Sequence, residues 1–470
     1  MKECNRPNIL FIMTDQLRAD GVVGNLFTKT PNLDRLSAMG TVFSSCYANA
    51  PVCVPSRFSL ATGHSVTAMG IANNIPVDLN PHQTYWTGSI KKSGYQTAVI
   101  GKTHLHRHSG DLRDREHLVR GYGFDFIDEI GGPRASMVIS SNMTDLWQAE
   151  GYLQDYIKDY KERYANKPYV VRPSVLPSKL YADNYVGRVA AEYLNRVDVD
   201  VPWFCWVSFG GPHEPWDAPQ EYHSRYDGKL PPPAIPFDQN EMNLLPTDSL
   251  HYQKFEEAPS LTKDEVVEMR INYAANISLI DDRIGEILDV LDERDCLENT
   301  LIVFTSDHGE MNGDHGLIYK NVLYEQAVKV PLIVVLPEQQ RPLMPNQTCD
   351  ALTQLSDIGP TVLDLVGVVD GQISEKRYAT SFASLLTGTD IHHRKYIFSE
   401  VAGETMVSDG RWKLVVSTKM KPYMLFDLKT DPDERRNLIE NLSCWFHRQR
   451  LNQQIKNYIE RETRVRLSKM

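Results

Sequence analysis

Residues 8–16 read NILFIMTDQ. Five apolar residues in a row, Ile9 to Met13, offer no polar face, so the segment reads as a strand covered on both sides. It ends on an acid and an amide, Asp15 and Gln16. Runs of the same kind recur at 95–105 (YQTAVIGKTHL), 202–216 (PWFCWVSFGGPHEPW), 300–310 (TLIVFTSDHGE) and 330–337 (VPLIVVLP). Between them lie segments with apolar residues at helical spacing, TPNLDRLSAMG at 30–40 and a long one at 266–295. Strands alternating with helices predict an α/β fold whose central sheet is mostly parallel and sandwiched by helices.

In such sheets ligands bind beyond the carboxyl ends of the strands. Polar residues collect at those ends. Asp15 and Gln16 follow the first run, Lys102 and His104 the second, His213 the third, and Asp307 and His308 the fourth. Four such endings rich in Asp, His and Lys predict one shared site.

The segment from about 135 to 265 carries proline clusters, KLPPPAIPFD among them, and is expected to form insertions over the top edge of the sheet. Beyond about 385 the pattern changes. YIFSEV, TMVSDGRWKLVVS and YMLFDLKTDPDE alternate with turn signals, which predicts a smaller antiparallel C-terminal subdomain over 386–470, closed by a helix at 443–463. Residues 1–385 then form the catalytic part.

Composition sets outer limits. The 470 residues carry a net charge of -11, which argues against a general nucleic-acid or membrane-surface binder. No apolar run is long enough to span a bilayer. The five-residue run near the start is too short for a secretory signal, so the chain as given reads as cytoplasmic, or periplasmic if it is a processed form. Seven cysteines are scattered with no CxxC pair, and the odd number leaves at least one thiol unpaired.

Asp15, Gln16, Asp307 and His308 offer hard oxygen ligands and one imidazole, a set that suits Ca²⁺ or Mg²⁺ better than zinc. Arg57, Lys102, His104, His213 and Lys320 lie in or beside strand-end loops, and converging cations next to a divalent ion suit a tetrahedral oxyanion. Cys53 sits in APVCVPSRFSLATG, residues 50–63, with prolines on both sides and a helix expected to start close by. A thiol nucleophile activated by His104 or His213 is one reading of it. A protease needs neither the acids nor the many cations, so metal-assisted attack on an oxyanion ester fits better.

CVPSRFSLATG resembles the sulfatase signature, Cys-x-Pro-Ser-Arg followed by Leu-x-Thr-Gly. The chain thereby resembles the formylglycine-dependent sulfatases of the alkaline-phosphatase-like superfamily. PNILFIMTDQLRAD, GKTHL, PHEPW, SDHGEMNGDHGLIYK and GRWKLV with LFDLKTDPDERRNL match successive family segments. The resemblance implies that Cys53 is oxidised to formylglycine by a formylglycine-generating or anaerobic sulfatase-maturating enzyme, and that its hydrated aldehyde is the nucleophile. It implies metal ligation by Asp15, Gln16, Asp307, His308 and position 53, with Ca²⁺ expected and Mg²⁺ or Mn²⁺ as alternatives. Lys102 and Lys320 would neutralise the sulfate oxygens and Arg57 would steady the nucleophile. His213 would protonate the leaving oxygen, and His104 would accept a proton from the second hydroxyl. Asn74, in MGIANNIP, resembles a substrate-contacting asparagine. Gln16 and His308 stand where many sulfatases have Asp and Asn, as in the choline sulfatase and phosphonate monoester hydrolase group. The implied substrate is a small-molecule or saccharide sulfate ester, with phosphonate monoesters or phosphodiesters as the alternative.

Overall fold

The computed structural model describes residues 6–22, 25, 27–83, 85–166, 170–236, 261–342, 348–369 and 378–468. Its strands in chain order are β1 (Asn8–Thr14), β2 (Thr41–Phe43), β3 (Cys46–Tyr47), β4 (Gln96–Gly101), β5 (Phe126–Glu129), β6 (Trp203–Ser208), β7 (Thr300–Ser306) and β8 (Lys329–Val330). They continue with β9 (Leu332–Val335), β10 (Thr348–Cys349), β11 (Thr353–Gln354), β12 (Ile397–Val401), β13 (Glu404–Ser408), β14 (Trp412–Val416) and β15 (Pro422–Asp427).

The large sheet has eight strands in the order β10-β2-β9-β7-β1-β6-β4-β5. From β7 to β5 every pairing is parallel. This is the mostly parallel sheet read from the sequence. Both faces are covered. Leu10 and Ile12 point into one core, shared with the helices Pro31–Met39, Ala182–Arg196 and Lys263–Glu293. Ile9, Phe11 and Met13 point into another, shared with Phe58, Leu60, Trp86 and Val362. That is why β1 shows no alternation: both of its faces are core.

The run at 330–337 joins the sheet, but β9 lies antiparallel to β7 and β2. After β7 the chain stays at the carboxyl edge through residues 307–328 and returns down the sheet without a crossover, so its next strand must run the other way. A small sheet, β11-β3-β8, lies beside it. The segment at 135–265 is not insertion throughout. Helix Ala182–Arg196 and β6 lie in the core because their apolar faces need cover. The proline-rich stretch is described as far as residue 236, and residues 237–260 lie outside the described residues.

C-terminally, β12 to β15 form a separate antiparallel sheet. Leu414, Val416 and Leu425 on one face meet Leu451, Ile455 and Tyr458 of the closing helix Trp445–Leu467. Met406 and Val415 on the other face meet Tyr47, Val322 and Leu323 of the main body.

Asp357 holds the approach to this sheet. It is fully buried and receives Arg394 through Nε at 2.7 Å and through Nη2, and faces His393 Nε2 at 3.1 Å. The backbone N–H groups of Gln354 and Thr380 also donate to it, at 3.1 and 2.9 Å. Burial alone would raise its pKa, but Arg394 and His393 bring it down to about 2. A depressed carboxyl contributes stability above its unfolded value, about 3.9, and loses it as pH falls through the folded value. Asp357→Asn is expected to cost about 3 kcal/mol at pH 7 by leaving Arg394 uncompensated. In denaturant titrations the gap to the wild type should narrow as pH falls below about 4, and a pH-independent gap would contradict this account.

Candidate active site

The site is built on five neighbouring parallel strands. β7, β1, β6 and β4 deliver Asp307, Asp15, His213 and Lys102 from their carboxyl ends, and β5 ends on Glu129. β4 and β6 come very close at that edge: a Cβ on Gly101 would lie 1.9 Å from the Ser208 carbonyl oxygen, and Gly101 has φ +103°. Glycine there lets Lys102 leave the strand beside β6.

Cys53 opens the helix Cys53–Thr62, whose backbone N–H groups face its end of the site. Asn74, itself exposed, accepts the Val54 N–H at 2.9 Å and so caps that helix. Cys53 Sγ lies 3.2 Å from His308 Nε2 and 3.8 Å from Asp15 Oδ1. Burial, then Asp15, push the thiol up to about 12 against Lys102 and Lys320. The six described cysteines are free thiols.

Arg57, one helical turn on, has no solvent exposure. Its Nη2 donates to Asp15 Oδ2 at 2.9 Å and its Nε to Asp307 Oδ2 at 2.8 Å, while Nη1 donates to Ser208 Oγ at 3.1 Å and to the Lys102 carbonyl. Every arm of the guanidinium is engaged. Arg57 therefore holds the two carboxylates in place, a role the sequence reading did not give it, and one N–H of Nη2 remains on the side of the site. Ser56 Oγ adds a bond to the Asp307 carbonyl at 2.6 Å.

With each Oδ2 engaged by Arg57, Oδ1 of Asp15 faces the thiol and Oδ1 of Asp307 lies 3.7 Å from His308 Nε2. His308 Nδ1 meets the Gly309 carbonyl at 2.9 Å, so that nitrogen carries the proton and Nε2 presents a lone pair. One ligand atom from each of Asp15, Cys53, Asp307 and His308 falls within 4.8 Å of all the others. Two carboxylates, a lone-pair imidazole nitrogen and position 53 fit a divalent ion. Gln16 does not turn toward this group. Its Oε1 accepts from Lys320, and its Nε2 donates to Glu214 at 2.8 Å and to Glu310. Its N–H donates to Asp307 Oδ1 at 3.0 Å from a left-handed backbone, φ 70°.

Lys102 Nζ pairs with Asp15 Oδ2 at 2.6 Å. Burial would raise the Asp15 carboxyl, but Lys102, His213 and Arg57 hold it well below its usual value. Lys320 Nζ lies 2.8 Å from His213 Nε2, and His213 Nδ1 meets the Glu214 carbonyl at 2.7 Å. Burial, then Lys320 and Lys102, keep the His213 imidazole well below its ordinary range. His104, also left-handed at φ 52°, is held low by burial, Lys102 and His108. Left-handed Tyr319 and Asn321 flank Lys320, and buried Trp216 stacks on Tyr319 with centroids 5.5 Å apart. Trp216 thus supports the Lys320 loop.

Two acids were missed from the sequence. Glu214 and Glu310 both receive Gln16, and Glu310 is pushed up to about 7 by burial and by Glu214. Both lie inside quoted segments, PHEPW and SDHGEM, and an acid next to a candidate histidine was the available signal.

The fold and this site define an alkaline-phosphatase-like hydrolase. Residues 7–368 match the sulfatase family, and residues 313–462 match the C-terminal region of N-sulphoglucosamine sulphohydrolase. The chain belongs to the sulfatase family and is a sulfatase, an enzyme acting on sulfuric esters. Similar curated proteins include an arylsulfatase of Clostridium perfringens, 29% identical over 93% of this chain and 91% of its own. Another is a choline-sulfatase of Rhizobium meliloti, 29% identical over 93% of this chain and 83% of its own. Among solved structures, the phosphonate monoester hydrolase of Silicibacter pomeroyi superposes with a TM-score of 0.75 at 24% identity, covering 98% and 97% of the two chains. BT4656 in complex with its substrate D-glucosamine-2-N,6-O-disulfate superposes with 0.71 at 20%, covering 97% and 98%.

Replacing Arg57 tests its reading as a clamp. Arg57→Met takes the cation from buried Asp307 and leaves buried Asp15 with Lys102 alone, and is expected to cost about 3–5 kcal/mol. A bound divalent ion would offset part of that loss, so the variant should gain more thermal stability from Ca²⁺ than the wild type does. Equal gains in the two proteins would show that Arg57 is not the carboxylate clamp.

Proposed function

We propose that the chain hydrolyses sulfate monoesters with a formylglycine made from Cys53 and one divalent ion held by Asp15, Asp307, His308 and position 53. The observation that carries this is the setting of Cys53. Its thiol lies 3.8 Å from Asp15 Oδ1 and 3.2 Å from His308 Nε2, inside the group that would hold the ion, at the first turn of a helix. A soft sulfur suits a carboxylate-lined ion site badly, whereas an oxygen there would match the two aspartates. Ca²⁺ is the ion that set favours.

Cys53 and the following Pro55, Ser56 and Arg57 are buried. A maturating enzyme would reach Cys53 only before the chain closes over it.

When bound, the ion would supply positive charge for the sulfate oxygens, and the hydrated aldehyde would supply an oxygen nucleophile. The chain's own groups divide the remaining work. Lys102 and Lys320 each bring an ammonium to the site and favour an anionic ester there. Lys320 Nζ lies 2.8 Å from His213 Nε2 and can pass it a proton, and this pair is the proposed acid for the leaving oxygen. His104 is the proposed base, and its depressed pKa keeps it neutral, as that role requires. Asn74, whose Oδ1 caps the helix that carries Cys53, is the proposed substrate contact.

Sulfated sugars and aryl sulfates are the proposed substrates. BT4656 acts on a disulfated glucosamine, and the C. perfringens relative is an arylsulfatase. The test is side-by-side kinetics on matched aryl sulfate and aryl phosphonate monoesters. kcat/KM is expected to favour the sulfate at least about tenfold, a difference of about 1.4 kcal/mol in transition-state binding. Exhaustive chelation should abolish turnover and Ca²⁺ should restore it. Preference for the phosphonate would replace the sulfate reading, and full activity without any metal would remove the ion from it.

A further inference from the structure

Beside the active site the segment GKTHLHRHSG places His104, His106 and His108 at every second position, where β4 has ended. β5, the neighbour of β4, ends on Glu129. His106 Nε2 lies 2.8 Å from Glu129 Oε2, and His108 Nε2 lies 3.9 Å from Glu129 Oε1. The side chains of His106, His108 and Glu129 are 0%, 5% and 2% exposed. One ligand atom from each falls within 4.8 Å of the other two. We propose that His106, His108 and Glu129 form a second cation site, for a divalent ion of the zinc class.

Three observations carry this. The first is His108, whose two ring nitrogens are both buried and have no hydrogen-bond partner among the described residues. A buried imidazole seldom leaves both nitrogens unsatisfied, and a ligand at Nε2, the nitrogen nearer Glu129, removes half of that cost.

The second is His106, which has an acceptor at each nitrogen. Nδ1 meets the Arg107 carbonyl at 3.1 Å, and Nε2 meets Glu129. A neutral imidazole carries one N–H and satisfies only one of them. Either the ring holds a second proton, or Nε2 and the carboxylate share a cation. The carbonyl on Nδ1 is the outer partner that metal-binding histidines commonly have. Glu129 is oriented in the same way, since Thr103 Oγ1 donates to its Oε1.

The third is the chemistry and spacing of the donors. Two imidazoles and one carboxylate are a borderline nitrogen-oxygen set, suited to zinc-class ions and poorly matched to Ca²⁺. Tetrahedral bonds of this kind place donors about 3.3 Å apart. The observed 2.8 and 3.9 Å bracket that value, so small shifts of the rings would complete the set. The chain would then hold two ions of different chemistry: a hard ion between Asp15 and Asp307, and a borderline ion at Glu129. His104 packs on one of the ligands of the second, its ring centroid 4.7 Å from that of His108. An ion there would fix the loop that carries Lys102 and His104. This inference does not depend on the sulfatase reading.

The test uses the full chain, stripped by chelation and reloaded with Co²⁺ alone. The wild type should develop the visible absorption of four-coordinate Co²⁺. The band should persist in Asp15→Asn, which cripples the first site, and should need at least tenfold more Co²⁺ in His108→Gln and Glu129→Gln. A band that is absent, or that survives His108→Gln and Glu129→Gln unchanged, would overturn the proposal. Should His108→Gln fail to fold, anomalous scattering from wild-type crystals soaked in Zn²⁺ decides. A peak among His106, His108 and Glu129 supports the site, and none there means that His106 is instead an imidazolium paired with Glu129.

Discussion

Arg57 bridging Asp15 and Asp307 is the contact on which the active site depends. β1 and β7 are adjacent and parallel, so their carboxyl ends bring two acids side by side in a region without solvent. Two buried carboxylates at that range repel strongly unless a cation lies between them. Arg57 answers this from the side of the helix Cys53–Thr62, taking Oδ2 of each acid. The outer oxygens are left to face position 53 and His308. The same helix delivers Cys53 at its first turn, so the clamp and the nucleophile position are fixed as one unit.

The strand-end loops add the second layer. Gln16 is the hub there. Its main-chain N–H holds Asp307, its side-chain oxygen accepts from Lys320, and its amide nitrogen reaches Glu214 and Glu310. Gln16, and Tyr319 and Asn321 on either side of Lys320, adopt left-handed backbone that non-glycine residues avoid, and such strain concentrates where surrounding packing over-determines it. Trp216 on Tyr319 is part of that packing.

Much of this was legible in the sequence for simple reasons. A run such as Ile9–Met13 announces a strand covered on both faces, and the polar residue after it must lie at the carboxyl edge where ligands bind. Thus Asp15, Lys102, His213 and Asp307 were found together. Strand direction was not legible for β9, because a short buried run reads the same either way and only the path of the chain from β7 decides. The job of Arg57 was not legible either. Composition counts it as a cation near an oxyanion site, and only the structure shows its Nε and Nη2 turned onto the two aspartates. The turn of Gln16 toward Lys320 depends on a loop far off in sequence. Glu129 shows its meaning only because β5 lies beside β4. The repeated histidines at 104, 106 and 108 were in plain view, but no spacing rule links them to an acid more than twenty residues away.

The most direct test of the central claim is the chemical state of position 53. Protein produced together with a formylglycine-generating enzyme should yield a peptide spanning Cys53 that is lighter by about 18 Da, the change from thiol to aldehyde. Across preparations converted to different extents, sulfatase activity should rise in proportion to the aldehyde fraction and vanish in Cys53→Ala, which should remain folded. Full activity in protein whose Cys53 is wholly unmodified would contradict the account.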